Sequence, residues 1–159
     1  MVSIRKAVRA DVTAVFTIRR RAILDKCSGF YSDKQLALWT QGDYSPEFAK
    51  DVADNFYVAQ LTDRLNSKVI ASGKLSLETG VIDAIFVDPD FFGQGVARSM
   101  LQHLERLALD NGINQLSLDS TLNAAPFYRR CGFIGNSLST YHSPTGISLD
   151  CIPMHKQLK

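Results

Sequence analysis

The sequence predicts an α/β fold, α+β in its details, with a central mixed and mostly antiparallel twisted sheet flanked by helices. Three observations carry this prediction. The elements read as strand, two or three helices, three strands, helix, strand, helix and two strands. The stretch Val81–Val87 is nearly all apolar, as a strand covered on both faces should be. It runs through a Pro turn and the glycines Gly93 and Gly95 into an amphipathic helix, so the centre of the chain reads as a right-handed β–turn–helix–β crossover.

Each element has a local reason. Ile4, Lys6 and Val8 alternate as a short first strand. Asp11 is placed to cap a helix whose apolar side is Val12, Val15, Phe16, Ala22 and Ile23. Ser32 and Gln35 have the spacing of a capping box ahead of Leu36 and Trp39. Ser45 followed by Pro46 opens a further helix to about Asp54. A meander follows, with strands at Phe56–Leu61, Val69–Leu77 and Val81–Val87 separated by polar turns. Ala97–Asn111 is helical, with Leu101, Leu104, Leu107 and Ala108 on one side and Gly112 in the left-handed C-terminal position. Gln115–Asp119 is a strand and Ala124–Arg130 a short helix ending at Gly132. Two strands, Ile134–Tyr141 and Ile147–His155, complete the chain.

The bulk properties bound the function. A length of 159 residues suits a single domain over 1–159, with no repeat or linker. A hydrophobic share of 45% suits a packed core rather than disorder. The net charge of +2 is too small to point to nucleic acid, and the cluster Arg19, Arg20 and Arg21 reads as a solvated helix face, with an anion-facing patch as the alternative. No stretch approaches the roughly 20 apolar residues of a membrane span. The N-terminal residues lack the apolar core of a signal peptide. Cys27, Cys131 and Cys151 are odd in number and lack metal-ligand spacing, so they read as reduced thiols of a cytoplasmic protein without a metal.

Gly93 and Gly95 let the backbone approach a ligand closely, and the following helix adds the positive end of its dipole. This is a seat for phosphate or pyrophosphate. A dinucleotide fold would place such glycines in its first βα unit, and a triphosphate loop would add Gly-Lys-Ser/Thr; neither holds here. A loop that begins with Asp88, Pro89 and Asp90 separates the strand from this seat, leaving room for a ligand arm along the strand.

Two blocks carry a family resemblance. Phe92-Gly93-Gln94-Gly95-Val96-Ala97 resembles the Gln/Arg-x-x-Gly-x-Gly/Ala motif of the GCN5-related N-acetyltransferases (GNAT), with Phe92 departing from the leading Gln or Arg. Thr121 to Phe133, with Ala124, Tyr128 and Gly132, resembles that family's Asn/Ser-x-x-Ala-x-x-x-Tyr-x-x-x-Gly-Phe block, Thr121 standing for Asn or Ser. Met154 to Lys156 resembles its last strand. The resemblance implies the GNAT fold, acetyl-CoA as co-substrate, and an acetyltransferase acting on a primary amine by direct attack in a ternary complex. It implies that the backbone of Ile85, Phe86 and Val87 pairs with the pantetheine arm. It implies that amides of Gly93, Gln94, Gly95, Val96, Ala97 and Arg98 hold the pyrophosphate, with Ser99 as a hydroxyl donor and Thr121 or Asn123 as a further cofactor contact. Tyr128 matches the tyrosine that protonates the thiolate; its competing role is a core aromatic.

An amine is mostly protonated at neutral pH, so catalysis needs a proton acceptor. Asp83, a lone carboxylate in the apolar strand, ranks first; burial would raise its pKa. By alternation it shares a face with Val81, Ile85 and Val87. Asp119, at a strand end, ranks second, and Glu78 third. The resemblance places the acceptor against the aromatic segment Cys27–Tyr44 and the loop Tyr141–Gly146. There Phe30, Tyr31 and Trp39 either cage an amine or serve as ordinary core. A small amine, an aminoglycoside-like compound, an amino acid and a protein lysine all remain open as acceptors. A homodimer is common among such enzymes, but the sequence itself offers no basis for one. The alternative function is a non-catalytic acyl-CoA-binding sensor or interaction module.

Overall fold

A computed structural model describes residues 1–143 and 146–159, with Ala84 described by its backbone alone. The chain runs β1 (Val2–Lys6), a 3-10 turn (Arg9–Asp11), α1 (Val12–Lys26), α2 (Asp33–Thr40), α3 (Pro46–Asn55), β2 (Phe56–Thr62), β3 (Ser67–Leu75) and β4 (Ile82–Val87). A second 3-10 turn (Pro89–Phe91), α4 (Val96–Asp110), β5 (Gln115–Ser120), α5 (Ala125–Arg130), β6 (Ser139–His142) and β7 (Ser148–Gln157) follow. The class is the α/β arrangement the sequence predicts.

The strands form two antiparallel sheets, β1-β2-β3-β4 and β5-β7-β6. They meet through one parallel bridge, Val81 to Ser117, where the Ser117 amide donates to the Gly80 carbonyl at 3.0 Å. Gly80 is required there. Its φ is +72°, and a Cβ would stand 2.7 Å from the Gln115 carbonyl oxygen. Helix α4 covers one face, burying Val96, Met100, Leu101, Leu104 and Ala108 against Ala71, Leu75, Ile82, Val87, Leu116 and Leu118. The apolar stripe at helical spacing is the cause, and the removal of these side chains from water is the main stabilising term. Helix α1 lies on the opposite face. Ile23 there joins Cys27, Tyr31 and Leu36 with Phe86 of β4, Leu122 and Leu149 of β7, so this cluster spans both sheets.

The caps are instructive. The Ser32 hydroxyl accepts from the Gln35 amide at 3.1 Å, and the Gln35 side chain accepts from the Ser32 amide at 2.9 Å. The Ser45 hydroxyl accepts from the Phe48 amide at 3.1 Å. Asp11 departs from expectation and makes no side-chain cap on α1. Its carboxylate instead accepts from the Val8 amide at 2.8 Å and from both terminal nitrogens of Arg5, at 2.8 and 3.0 Å. The Arg5 bonds hold the Asp11 carboxyl below its ordinary range, against an opposing effect of burial. Asp11→Ala is therefore expected to lower stability by about 2 kcal/mol at pH 7 in chemical denaturation. A depressed folded pKa stabilises fully above the unfolded value and is lost as pH falls through the folded one. The gap between wild type and Asp11→Ala should accordingly narrow below about pH 4.

The last hairpin is shorter than predicted. Only Ser139–His142 pairs as β6, and Ile134 keeps a single bridge to His155. The arginine cluster is not a solvated face either. Arg20 donates to the carbonyls of Thr40 and Gly42, and Arg21 pairs with Asp88 at 2.8 Å and Asp90 at 3.3 Å.

Candidate active site

β4 and β5 run parallel from the Val81–Ser117 bridge and, among the described residues, make no ladder with each other beyond it. Each is an edge strand of its own sheet, so two backbone edges face one another across a wedge. On its inner side β4 is fully used: Ile85 pairs with Gly73, Phe86 with Ser72 and Val87 with Ala71 of β3. Its outer edge carries amide and carbonyl groups with no strand partner among the described residues. An open edge of this kind accepts an extended ligand as an added strand.

The glycine bend stands at the end of this edge. Asp88 anchors it: its amide donates to the Ile70 carbonyl at 2.8 Å, and its buried carboxylate accepts from Arg21 and, at 3.0 Å, from the Asp90 amide. Gly93 and Gly95 have φ of +76° and +80°, and a Cβ at either would meet nothing within 4 Å. The glycines are thus needed for backbone conformation, and the space over them is open. Gly95 is the N-cap of α4, whose first turn has no side-chain cap and no acidic residue. The amides of that turn have no intrahelical acceptor. The Lys26 ammonium lies 4.1 Å from the centre of the Phe92 ring, adding a positive charge next to the bend. Sequence spacing did not reveal this clamp, because Arg21 and Asp88 are 67 positions apart.

Of the other predicted contacts, Thr121 is half-buried and its carbonyl accepts from the Ser120 hydroxyl at 2.8 Å. The Asn123 Oδ1 is buried with no hydrogen-bond partner. Burial pushes the Cys27 thiol up to about 11, against an opposing effect of the nearby Asn123 side chain, so Cys27 is no thiolate nucleophile. Ser99 does not face the wedge; it opens to a 300 Å³ hollow shared with Val2, Ile4 and His103, on the β1 side of α4.

Tyr128 sits on α5 with its ring edge-on to Phe127 and Phe133, at 5.2 and 5.6 Å between centres. It is 8% exposed, and Phe127 is the less buried of the neighbouring pair. Tyr128 is therefore itself part of the core cluster. Burial, with Cys131 nearby, pushes its hydroxyl well above the ordinary phenol range. No hydrogen bond among the described residues engages that hydroxyl, and it is not one of the sealed polar atoms.

The carboxylates differ from expectation. Asp83 is not buried; its side chain is 51% exposed and lies 3.4 Å from Lys74, which also bonds Asp51 of α3 at 2.7 Å. The cause is a break in the β3–β4 register. Leu75 faces Ile82 and Lys74 faces Ala84, leaving Asp83 as the extra residue of a bulge. Ile82 takes the α4 side with Val87, and Asp83 turns to the opposite side. The alternation argument fails at that residue. Burial opposes the Lys74 ammonium, but Asp51 and Asp83 outweigh it and raise its pKa. Asp119 is exposed near the end of β5, between the buried Leu118 and Ser120. Asp83 and Asp119 each stand two residues beyond the bridge, one on each arm of the wedge. Glu78 is exposed in a 590 Å³ cleft that Asp83, Lys74 and Tyr57 also line.

Two of the three acceptor-side aromatics are structural. Tyr31 is buried, donating to the Asp150 carbonyl at 2.5 Å and accepting from the Leu122 amide at 3.1 Å. Trp39 packs edge-on to Tyr31 at 5.6 Å. Phe30 is 53% exposed and free to meet a ligand. Of the loop Tyr141–Gly146, Pro144 and Thr145 lie outside the described residues. Among the described residues no group of His, Cys, Asp and Glu is arranged to hold a metal, and no helix is long and apolar enough to cross a membrane.

Residues 21–133 match the model of the acetyltransferase (GNAT) family. The chain belongs to the GNAT family. The matched span holds both the glycine bend and Tyr128, the two blocks on which the sequence resemblance rested. The GNAT relative YafP of Escherichia coli K12, named an uncharacterized N-acetyltransferase, is 30% identical over 132 residues, covering 83% of this chain and 81% of its own. Peptidyl-lysine N-acetyltransferase YjaB of Salmonella typhimurium is 26% identical over 133 residues, 84% of this chain and 83% of its own. A GCN5-related N-acetyltransferase structure from Rhodopseudomonas palustris superposes with a TM-score of 0.86 at 24% identity, covering 98% of this chain and 95% of that one. PaiA N-acetyltransferase of Thermoplasma acidophilum, solved in complex with coenzyme A, superposes with a TM-score of 0.76 at 18% identity over 99% of both chains. These structural likenesses bear on the fold, which is the GNAT fold; family membership makes the protein an acyltransferase enzyme.

Proposed function

We propose that residues 1–159 act as one N-acetyltransferase domain that moves acetyl from acetyl-CoA to a primary amine by direct attack within a ternary complex. The observation that carries this reading is the wedge between the open edges of β4 and β5, ending at uncapped amides beside Gly93 and Gly95. The donor set fits the ligand. The outer edge at Ile85, Phe86 and Val87 would hold the pantetheine amides, and the buried, unpartnered Asn123 Oδ1 is a further acceptor. The amides from Gly93 to Arg98, with Lys26 beside them, would hold the diphosphate. The Thermoplasma acidophilum structure of the same fold was solved with coenzyme A, which supports coenzyme A as the kind of ligand.

Bound acetyl-CoA supplies a thioester: a C–N bond forms at its acetyl carbon as the C–S bond breaks. This chain's residues handle the protons. Tyr128 keeps its hydroxyl protonated at neutral pH and donates that proton to the departing sulfur. Asp119, exposed and without a salt bridge among the described residues, takes the amine proton through water. Asp83 ranks behind it because Lys74 engages its carboxylate.

A thiol-release assay with acetyl-CoA over chemically diverse amines tests the reading. Release with at least one amine is expected, and Asp119→Asn should lower kcat by about tenfold or more at unchanged CoA affinity. Full kcat in that variant would remove Asp119 from the scheme. Stoichiometric CoA binding with no release across the panel would favour the sensor module instead.

A further inference from the structure

Among the described residues, no carboxylate pairs with the guanidinium of Arg19. Arg19 is half-buried on α1, one turn before Ile23 and on the same face of the helix. Ile23 belongs to the cluster with Phe86, Leu122 and Leu149 that crosses from one sheet to the other. Arg19 therefore stands one turn from the place where α1 meets both sheets. No hydrogen bond or ion pair among the described residues engages it. Burial holds its pKa below the ordinary value; the Tyr141 hydroxyl of β6 opposes that effect and Arg20 adds to it. Pro144 and Thr145, which follow Tyr141 closely, have no carboxylate to offer.

A half-buried guanidinium without an anion is costly, and a ligand anion would relieve that cost. Its neighbours narrow the choice. Arg20 is occupied by the Thr40 and Gly42 carbonyls, and Arg21 by Asp88 and Asp90. One planar guanidinium, unpaired among the described residues and beside one phenol, matches the single charge of a carboxylate held through two parallel bonds; Arg20 and Arg21, the neighbouring charges that a doubly charged phosphate would draw on, are already engaged. Resting on the transferase reading above, we infer that Arg19, with Tyr141 opposite, binds a carboxylate of the acceptor, so that the substrate is an amine that also carries a carboxylate, of the amino-acid class.

The test uses matched sets: each of several amino acids, its carboxamide and its decarboxylated amine, assayed by thiol release with the full chain and acetyl-CoA. At least one amino acid should exceed its amide and amine in kcat/KM by about tenfold or more. Arg19→Gln should raise KM for that amino acid by a similar factor, leave kcat within about twofold, and leave the amide unchanged. Arg19→Lys should recover part of the loss. Calorimetric titration with the N-acetylated amino acid should show the same weakening in Arg19→Gln without turnover. Equal use of all three acceptor forms, or an equal KM rise for acid and amide in Arg19→Gln, overturns the inference and leaves the transferase reading standing. Absence of release with every acceptor overturns both.

Discussion

Tyr128→Phe is expected to lower kcat by about 100-fold or more and to leave CoA affinity unchanged. The substitution removes one oxygen and keeps the ring contacts with Phe127 and Phe133. The hydroxyl makes no hydrogen bond among the described residues, so its loss should change stability by less than about 1 kcal/mol. A residue held only for packing would show the opposite pattern, with activity retained. The pH dependence is also defined. Burial keeps the Tyr128 proton in place well beyond the ordinary phenol range. The rate deficit of the variant should therefore be constant from about pH 6 to pH 9, since the donor does not titrate there. Steady-state rates of wild type and variant across that range, beside their thermal midpoints, check all three statements.

Gly95→Val should have the largest effect on cofactor binding. At φ +80° a β-branched residue is strained by about 1–2 kcal/mol. No atom lies within 4 Å of the new Cβ, so the stability loss should not exceed that backbone strain. The side chain would instead occupy the space over the uncapped turn. The Kd for CoA is expected to rise about 100-fold, whereas pantetheine, which lacks the diphosphate, should bind both proteins alike. Calorimetry with the two ligands separates these effects. Equal weakening for both would mean that the bend shapes the whole wedge rather than seating the diphosphate.

Local rules were legible wherever the cause was local. Ser32, Gln35, Ser45 and Pro46 cap as their spacing requires, and the stripe along α4 is buried as its period demands. The glycine bend and the Tyr128 block were readable because each is a short contiguous pattern. What depends on partners distant in sequence was not. A one-residue bulge against β3 turned Asp83 out of the face that alternation assigned it. Asp11 serves Arg5 and Val8 rather than α1, a choice made by packing. Tyr31 looked like a ligand aromatic because its acceptor, the Asp150 carbonyl, is 119 residues away. Ile134–Tyr141 has strand-like composition, but a bridge at Ile134 and pairing from Ser139 are all that β7 and its neighbourhood provide.

Backbone amide hydrogen exchange, with and without saturating CoA, probes the wedge most directly. The account predicts slower exchange in two segments, Ile85–Val87 on the open edge of β4 and Gly93–Arg98 around the bend, with β6 unaffected. Unchanged exchange in both segments at saturating CoA would contradict it.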